Sequence, residues 1–195
     1  MSASVLRLVL LAGAVLLVAG LLVAAVVLWR RRQRRRRRLV DLIGRIAGDY
    51  QRDVLISDGA EGWYHLDFVL RTSMGLVILD VRDARGAVFG GEHLGEWTAM
   101  ERGTRQTFPN PLETLYDRIA AVRAVVGDDV PVEGRVVLLA RATLATAAPP
   151  RTLLLEELAT LAEPVAELGD QYAASWAALV AATQPSPPAL RRALR

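Results

Sequence analysis

The sequence predicts a mixed α/β domain, a sheet flanked by helices, preceded by one transmembrane helix. Three observations predict it. Residues 8–29 form an uncharged apolar run, and two short apolar runs, Trp63–Leu70 and Leu76–Val81, are parted by a Gly-containing turn. A capped helical pattern then opens at Asn110-Pro111. Strand and helix signals that alternate along one chain indicate layers packed on a shared sheet.

The first element is the span. Leu8 to Trp29 is 22 residues without a charge, and as a helix it reaches roughly 33 Å, enough for a hydrocarbon core of about 30 Å. Trp29 falls at the end of the run, where an interfacial indole is favoured. Eight Arg occupy the nine residues 30–38, whereas Arg7 alone precedes the span. That asymmetry predicts a single-pass membrane protein with a cytoplasmic body and an outside N-terminus. A cleaved signal peptide would carry its charge before a shorter core; here the charge follows it. The expected organisation is an N-terminal segment 1–29, an Arg-rich run 30–38, a domain 39–183 and a mobile tail 184–195. The expected partners are the lipid bilayer and, at the Arg run, anionic lipid headgroups. Nucleic acid is a further candidate partner, and no protein partner is indicated.

Within the body, Leu39, Leu42, Ile43, Ile46, Ala47 and Tyr50 recur at helical spacing, predicting a helix over 39–54. Ser57-Asp58-Gly59 is turn chemistry. The runs 63–70 and 76–81 read as a hairpin of buried strands, and weaker strands follow near 87–89 and 93–98. Asn110 suits a helix cap, Pro111 its first position, and Glu113 a capping-box partner; Leu112, Leu115, Tyr116, Ile119, Val122 and Val126 form its stripe up to Gly127. Val136–Ala140 reads as a buried strand and 152–182 as helical, broken at Pro164.

Composition limits the chemistry. All 24 basic residues are Arg, Cys is absent, and there are two His, His65 and His93. Lysine nucleophiles, Walker lysines, thiol catalysis and Cys-ligated zinc are therefore excluded. Ser57 and Ser73 have no base near them in sequence, and no P-loop or dinucleotide fingerprint is present. Residues 1–38 carry nine Arg and no acid; the remainder sets 15 Arg against 21 acids, a charge of −6. The basic balance belongs to the leader, so it does not make the body a nucleic-acid-binding surface.

The hairpin holds the informative constellation. A two-residue turn at Ser73-Met74 pairs residues whose numbers sum to 147, so Asp67 faces Asp80 and His65 faces Arg82. Two carboxylates side by side in apolar strands resist burial unless something neutralises them. A hard divalent cation such as Mg²⁺, helped by the Val81 carbonyl, would do so. A salt bridge from Arg82 would do so equally. Trp63, Tyr64 and Trp97 read as core. Arg102 and Arg105 lie on the loop before the Asn-Pro helix, where they are solvated or meet phosphate.

The ordered set His65–Leu70, Gly75–Arg82, Gly86–Gly90, Trp97, Phe108-Pro109-Asn110-Pro111 and Val130–Leu139 resembles the nuclease-related domain (NERD) family, over about residues 50–145. That family is grouped with the PD-(D/E)xK nucleases, whose core runs α-β-β-β-α-β. The resemblance implies Asp67 and Asp80 as metal ligands with Val81, a bound Mg²⁺, and a metal-activated water attacking a nucleic-acid phosphodiester. It also places Arg82 where the family has a catalytic Lys, and Thr114 where it often has Gln. Two function classes follow: a membrane-anchored metal-dependent phosphodiesterase, or a catalytically degenerate domain kept as a membrane-tethered binding or scaffolding module.

Overall fold

The computed structural model describes residues 3–139, 142–145, 147–161 and 170–187. The chain divides into two units, Met1–Arg38 and Leu39–Arg195. Helix α1 is Ala3–Ile46. In the first unit its described apolar side chains, Leu16 to Trp29 among them, are exposed. Among the described residues no helix is long and apolar enough to cross a membrane. The expected span 8–29 includes residues 8–12, 14 and 15, whose side chains lie outside the described set.

The second unit is a mixed α/β fold, with sheets flanked by helices. Strands β1 (Asp49–Ser57), β2 (Trp63–Thr72), β3 (Gly75–Arg82), β7 (Val132–Leu138), β9 (Thr152–Leu154) and β10 (Thr183–Pro185) form a six-stranded sheet in the order β10-β1-β2-β3-β7-β9. The β10-β1-β2-β3 half is antiparallel, and β3-β7-β9 is parallel. Strands β4 (Gly86–Phe89), β5 (Glu96–Glu101), β6 (Thr104–Pro109) and β8 (Ala142–Leu144) form a separate sheet in the order β6-β5-β4-β8. Helix α2 (Pro111–Val126) precedes β7; a 3-10 helix (Leu155–Thr160) and α3 (Ala173–Ala182) follow β9.

Alternation along β3 and β7 sends successive side chains to opposite faces. Leu76, Ile78, Val132, Val136 and Leu138 pack with Leu112, Leu115, Ile119 and Val122 of α2. Val77, Leu79, Val137 and Leu139 pack with Leu39, Ile43 and Ile46 of α1 and with Leu155 and Leu158. Each such side chain contributes about 1.5–3 kcal/mol by burial. The central sheet is thereby covered on both faces. Gly134 lets α2 come close: a Cβ there would sit 2.7 Å from Leu115 Cδ1 and 2.8 Å from Ile119 Cδ1. Gly75 closes the hairpin at φ +120°, where a Cβ would strike the Pro131 carbonyl oxygen at 2.2 Å.

The hairpin register is the expected one, with Phe68 opposite Leu79, Leu70 opposite Val77 and Thr72 opposite Gly75. The Asn-Pro helix also forms as expected: Asn110 accepts from the Leu112 N–H, Pro111 opens the helix and Gly127 ends it.

Other expectations are corrected. The helix over 39–54 stops at Ile46, and Asp49–Ser57 is β1. The helical period ends at Gly48, and the consecutive buried Val54, Leu55 and Ile56 suit a strand paired on both edges. The strand placed at 93–98 runs 96–101, and the loop carrying Arg102 and Arg105 is the turn and strand of the β5–β6 hairpin. β6 escapes sequence reading because its exposed Thr, Arg and Gln side chains carry no apolar alternation. The start of the region 152–182 is strand and 3-10 helix, since parallel pairing to β7 overrides the helical propensity of its leucines; residues 162–169, with Pro164, lie outside the described set. Residues 183–185, overlapping the expected tail, add a strand to β1, while 188–195 lie outside the described set. Trp63, expected in the core, opens β2 at the sheet's end and is 51% exposed, whereas Trp97 is fully buried.

Candidate functional site

Asp80 lies near the end of β3, on the face that Leu76 and Ile78 turn toward α2, and is 1% exposed. An isolated carboxylate there would face a prohibitive desolvation cost. Two guanidiniums neutralise it. Arg82, two residues on and on the same face, sets Nε 2.6 Å from Oδ1 and donates from Nη2 to Oδ2 at 2.9 Å. Arg118 of α2 donates from Nη1 to the same Oδ2 in a short contact. Oδ2 of Asp80 thereby accepts from both arginines, and Oδ1, without a hydrogen bond among the described residues, is in ion-pair contact with Arg82.

Asp67 is one residue beyond the last ladder pair joining β2 to β3. Its Oδ2 accepts the Val81 N–H at 2.9 Å, so a side chain takes over where the strand ladder ends. Some 29% of its side-chain surface is accessible. Burial among the apolar strand residues, and then the Asp80 carboxylate, raise the Asp67 carboxyl above its ordinary value of 3.8. The Val81 N–H, His65 and Arg118 act in the opposite sense and do not cancel the rise.

His65 does not pair with Arg82, because the β2–β3 ladder ends at Phe68 and Leu79. Its buried ring lies between two carboxylates, with Nδ1 3.7 Å from Asp67 Oδ1 and Nε2 3.7 Å from Asp53 Oδ1. Asp53 sits on β1 between the pairs Arg52–Phe68 and Val54–Leu66, which places it across from Asp67. Its backbone is left-handed, at φ +54°, and its carbonyl accepts the Ser186 N–H at 2.9 Å.

The nuclease-related domain model matches residues 35–139, more than half of the chain. The chain belongs to the nuclease-related domain family. No curated protein and no solved structure matches it. The match covers the hairpin that carries Asp67 and Asp80, and nuclease-related domains are typically metal-dependent.

The residues this NERD domain offers for a cation between Asp67 and Asp80 do not fit one as they are placed. Both Asp80 oxygens face guanidinium groups, and a cation there would meet two fixed positive charges. Val81, expected to contribute its carbonyl, donates its N–H to Asp67. Of the sequence-predicted residues, Asp80 and Arg82 are brought into contact, and Asp67 is joined to Val81. Two participants escaped sequence reading. Arg118 falls at helical spacing between Leu115 and Val122, and an arginine inside an apolar stripe is a signal that a buried acid needs a partner. Asp53 had no such signal, since the 39–54 region read as helix.

Proposed function

We propose that this protein is a membrane-anchored nuclease-related domain that has lost phosphodiester cleavage and acts as a tethered binding module. One observation carries the reading: Asp80, the acid that the fold would use to hold a catalytic cation, is clamped by Arg82 and Arg118. Arg82 also stands in for the lysine of the nuclease motif. A guanidinium stays protonated and spreads its charge over a planar fork, so it cannot trade a proton with an attacking water. The body's charge of −6 works against wrapping a phosphate backbone, which is normally held in a positive groove.

The anchor is supported by the sequence of residues 8–29, uncharged over 22 positions, and by the eight arginines that follow. In this reading the span holds the domain at the bilayer, and the arginines set its cytoplasmic orientation and contact anionic headgroups. The alternative, a metal-dependent phosphodiesterase acting on nucleic acid, would need Arg82 and Arg118 to release Asp80.

A cleavage assay on the full chain in detergent, with single-stranded and duplex DNA and RNA in Mg²⁺ or Mn²⁺, separates the two. The expected result is no cutting above that of the Asp80→Ala protein. Metal-dependent cutting that disappears in Asp80→Ala would overturn the binding-module reading.

A further inference from the structure

We propose that Asp53, His65 and Asp67 form a divalent-cation site, beside the nuclease motif and sharing Asp67 with it, that takes Zn²⁺ or Mn²⁺ in preference to Mg²⁺. The three residues come from two paired strands. Asp53 lies opposite Asp67 across β1 and β2, and His65 is two residues from Asp67 on β2, where side-chain alternation is interrupted: Leu66 and Phe68 pack into different core clusters. One ligand atom from each lies within 4.8 Å of the others. Cation–ligand distances of about 2.0–2.2 Å require donor atoms only a few ångströms apart. Small side-chain rotations reach that.

The imidazole supplies the independent observation. His65 is 7% exposed at its side chain, and its Nε2 has no hydrogen-bond partner among the described residues. At 3.7 Å the Asp53 oxygen is too far to accept a hydrogen bond, as is the Asp67 oxygen from Nδ1. The buried Nε2 faces Asp53 and Nδ1 faces Asp67, and Nε2, bonded to neither carboxylate, is left with its desolvation cost unmet. A cation answers this arrangement by drawing in one ring nitrogen and one oxygen from each acid. Arg52 does not do this, since its Nε lies 3.5 Å from the other Asp53 oxygen and its side chain is largely exposed.

The donor set decides the ion. Magnesium prefers an all-oxygen shell and keeps its waters, whereas an imidazole nitrogen beside two carboxylates suits zinc and manganese. Three protein ligands leave at least one position for water or an anionic ligand. Arg82 and Arg118 are engaged with Asp80, so neither guanidinium occupies this position. The proposal stands apart from the binding-module reading, because it uses neither Asp80 nor cleavage.

The test is metal binding by the full chain in detergent after chelation. ZnCl₂, MnCl₂ and MgCl₂ are titrated separately by calorimetry, with bound metal counted by mass spectrometry and thermal unfolding recorded at each saturation. One saturable zinc or manganese site is expected, at least about tenfold tighter than magnesium, with a raised unfolding temperature. His65→Gln and Asp53→Asn, checked for native circular dichroism, are each expected to lose at least about tenfold in affinity. Should either variant fail to fold, Co²⁺ absorption by the unmodified protein decides, since nitrogen and carboxylate ligation changes its visible spectrum. No saturable site, a site preferring magnesium, or a site indifferent to both substitutions in folded protein would overturn the proposal.

Discussion

Arg118 and Arg82 converge on one oxygen, Oδ2 of Asp80, from different elements: the first reaches across from α2, the second lies two residues along β3. The helix and the sheet are thus joined by a charged contact set inside an apolar layer. Removing one partner of a buried ion pair typically costs about 3–5 kcal/mol, because the other charge stays buried. Here the remaining guanidinium softens that loss. Arg118→Met is expected to cost about 2–3 kcal/mol in urea unfolding, and Asp80→Asn in the same background to recover part of it. Additive losses in this double-mutant cycle would mean that the two groups do not interact.

Asp67 makes a prediction about pH whose sign follows from its raised carboxyl. Between its ordinary value of 3.8 and its higher value in the fold, the folded chain holds a proton that the unfolded chain has released. Stability from this group is therefore greatest below 3.8 and falls as pH rises through that window, leaving a deficit at neutral pH. Asp67→Asn keeps an oxygen to accept the Val81 N–H and removes the charge. The metal-free variant is expected to be more stable than the parent at pH 7, with the difference shrinking as the pH approaches 4. Urea midpoints measured across that range check it. A variant less stable at every pH would contradict the assignment.

Gly134 tests the packing that positions Arg118. A branched side chain there meets Leu115 and Ile119 at the closest approach of α2 to β7. Gly134→Val is expected to destabilise by about 1–3 kcal/mol through overpacking. Leu115→Ala in the same chain opens space and is expected to restore part of that loss. Failure of the second substitution to compensate would place the strain elsewhere.

These residues also show how much of the molecule was legible beforehand. The hairpin register followed from a two-residue turn and two apolar runs, because side-chain alternation leaves little freedom once both faces are buried. The α2 boundaries followed from Asn110, Pro111 and Gly127, whose conformational preferences are local. The partners of Asp80 were half legible. Arg82 lies on its own strand, but Arg118 is 38 positions away and enters through tertiary packing alone. Asp53 was hidden for a further reason: the apolar residues of 39–47 and of 54–56 merge into one apparent helical period, and only pairing with β2 and β10 shows where it breaks. Edge strands such as β6 stay silent because their hydrogen bonds are backbone bonds and their side chains face water.

The proposed anchor makes a prediction that depends on where positive charge lies and on nothing in the fold of the body. Arginine resists translocation, so the eight arginines among residues 30–38 are expected to keep the C-terminal side in the cytoplasm. A phosphatase fused after Arg195 should be inactive, and a cytoplasm-dependent fluorescent reporter at the same place should be bright. Replacing the arginines of 30–38 by Gln and adding an equal number before Leu8 should exchange the two signals, since the span itself is unchanged. Retention of the chain in the membrane through an alkaline wash, with release on deletion of 8–29, separates spanning from electrostatic adhesion. Adhesion through the arginines alone, worth about 1 kcal/mol per residue near an anionic surface, would be stripped by high salt. A chain released by salt with residues 8–29 intact would end the anchor proposal, and an orientation unmoved by relocating the arginines would end the topology assignment.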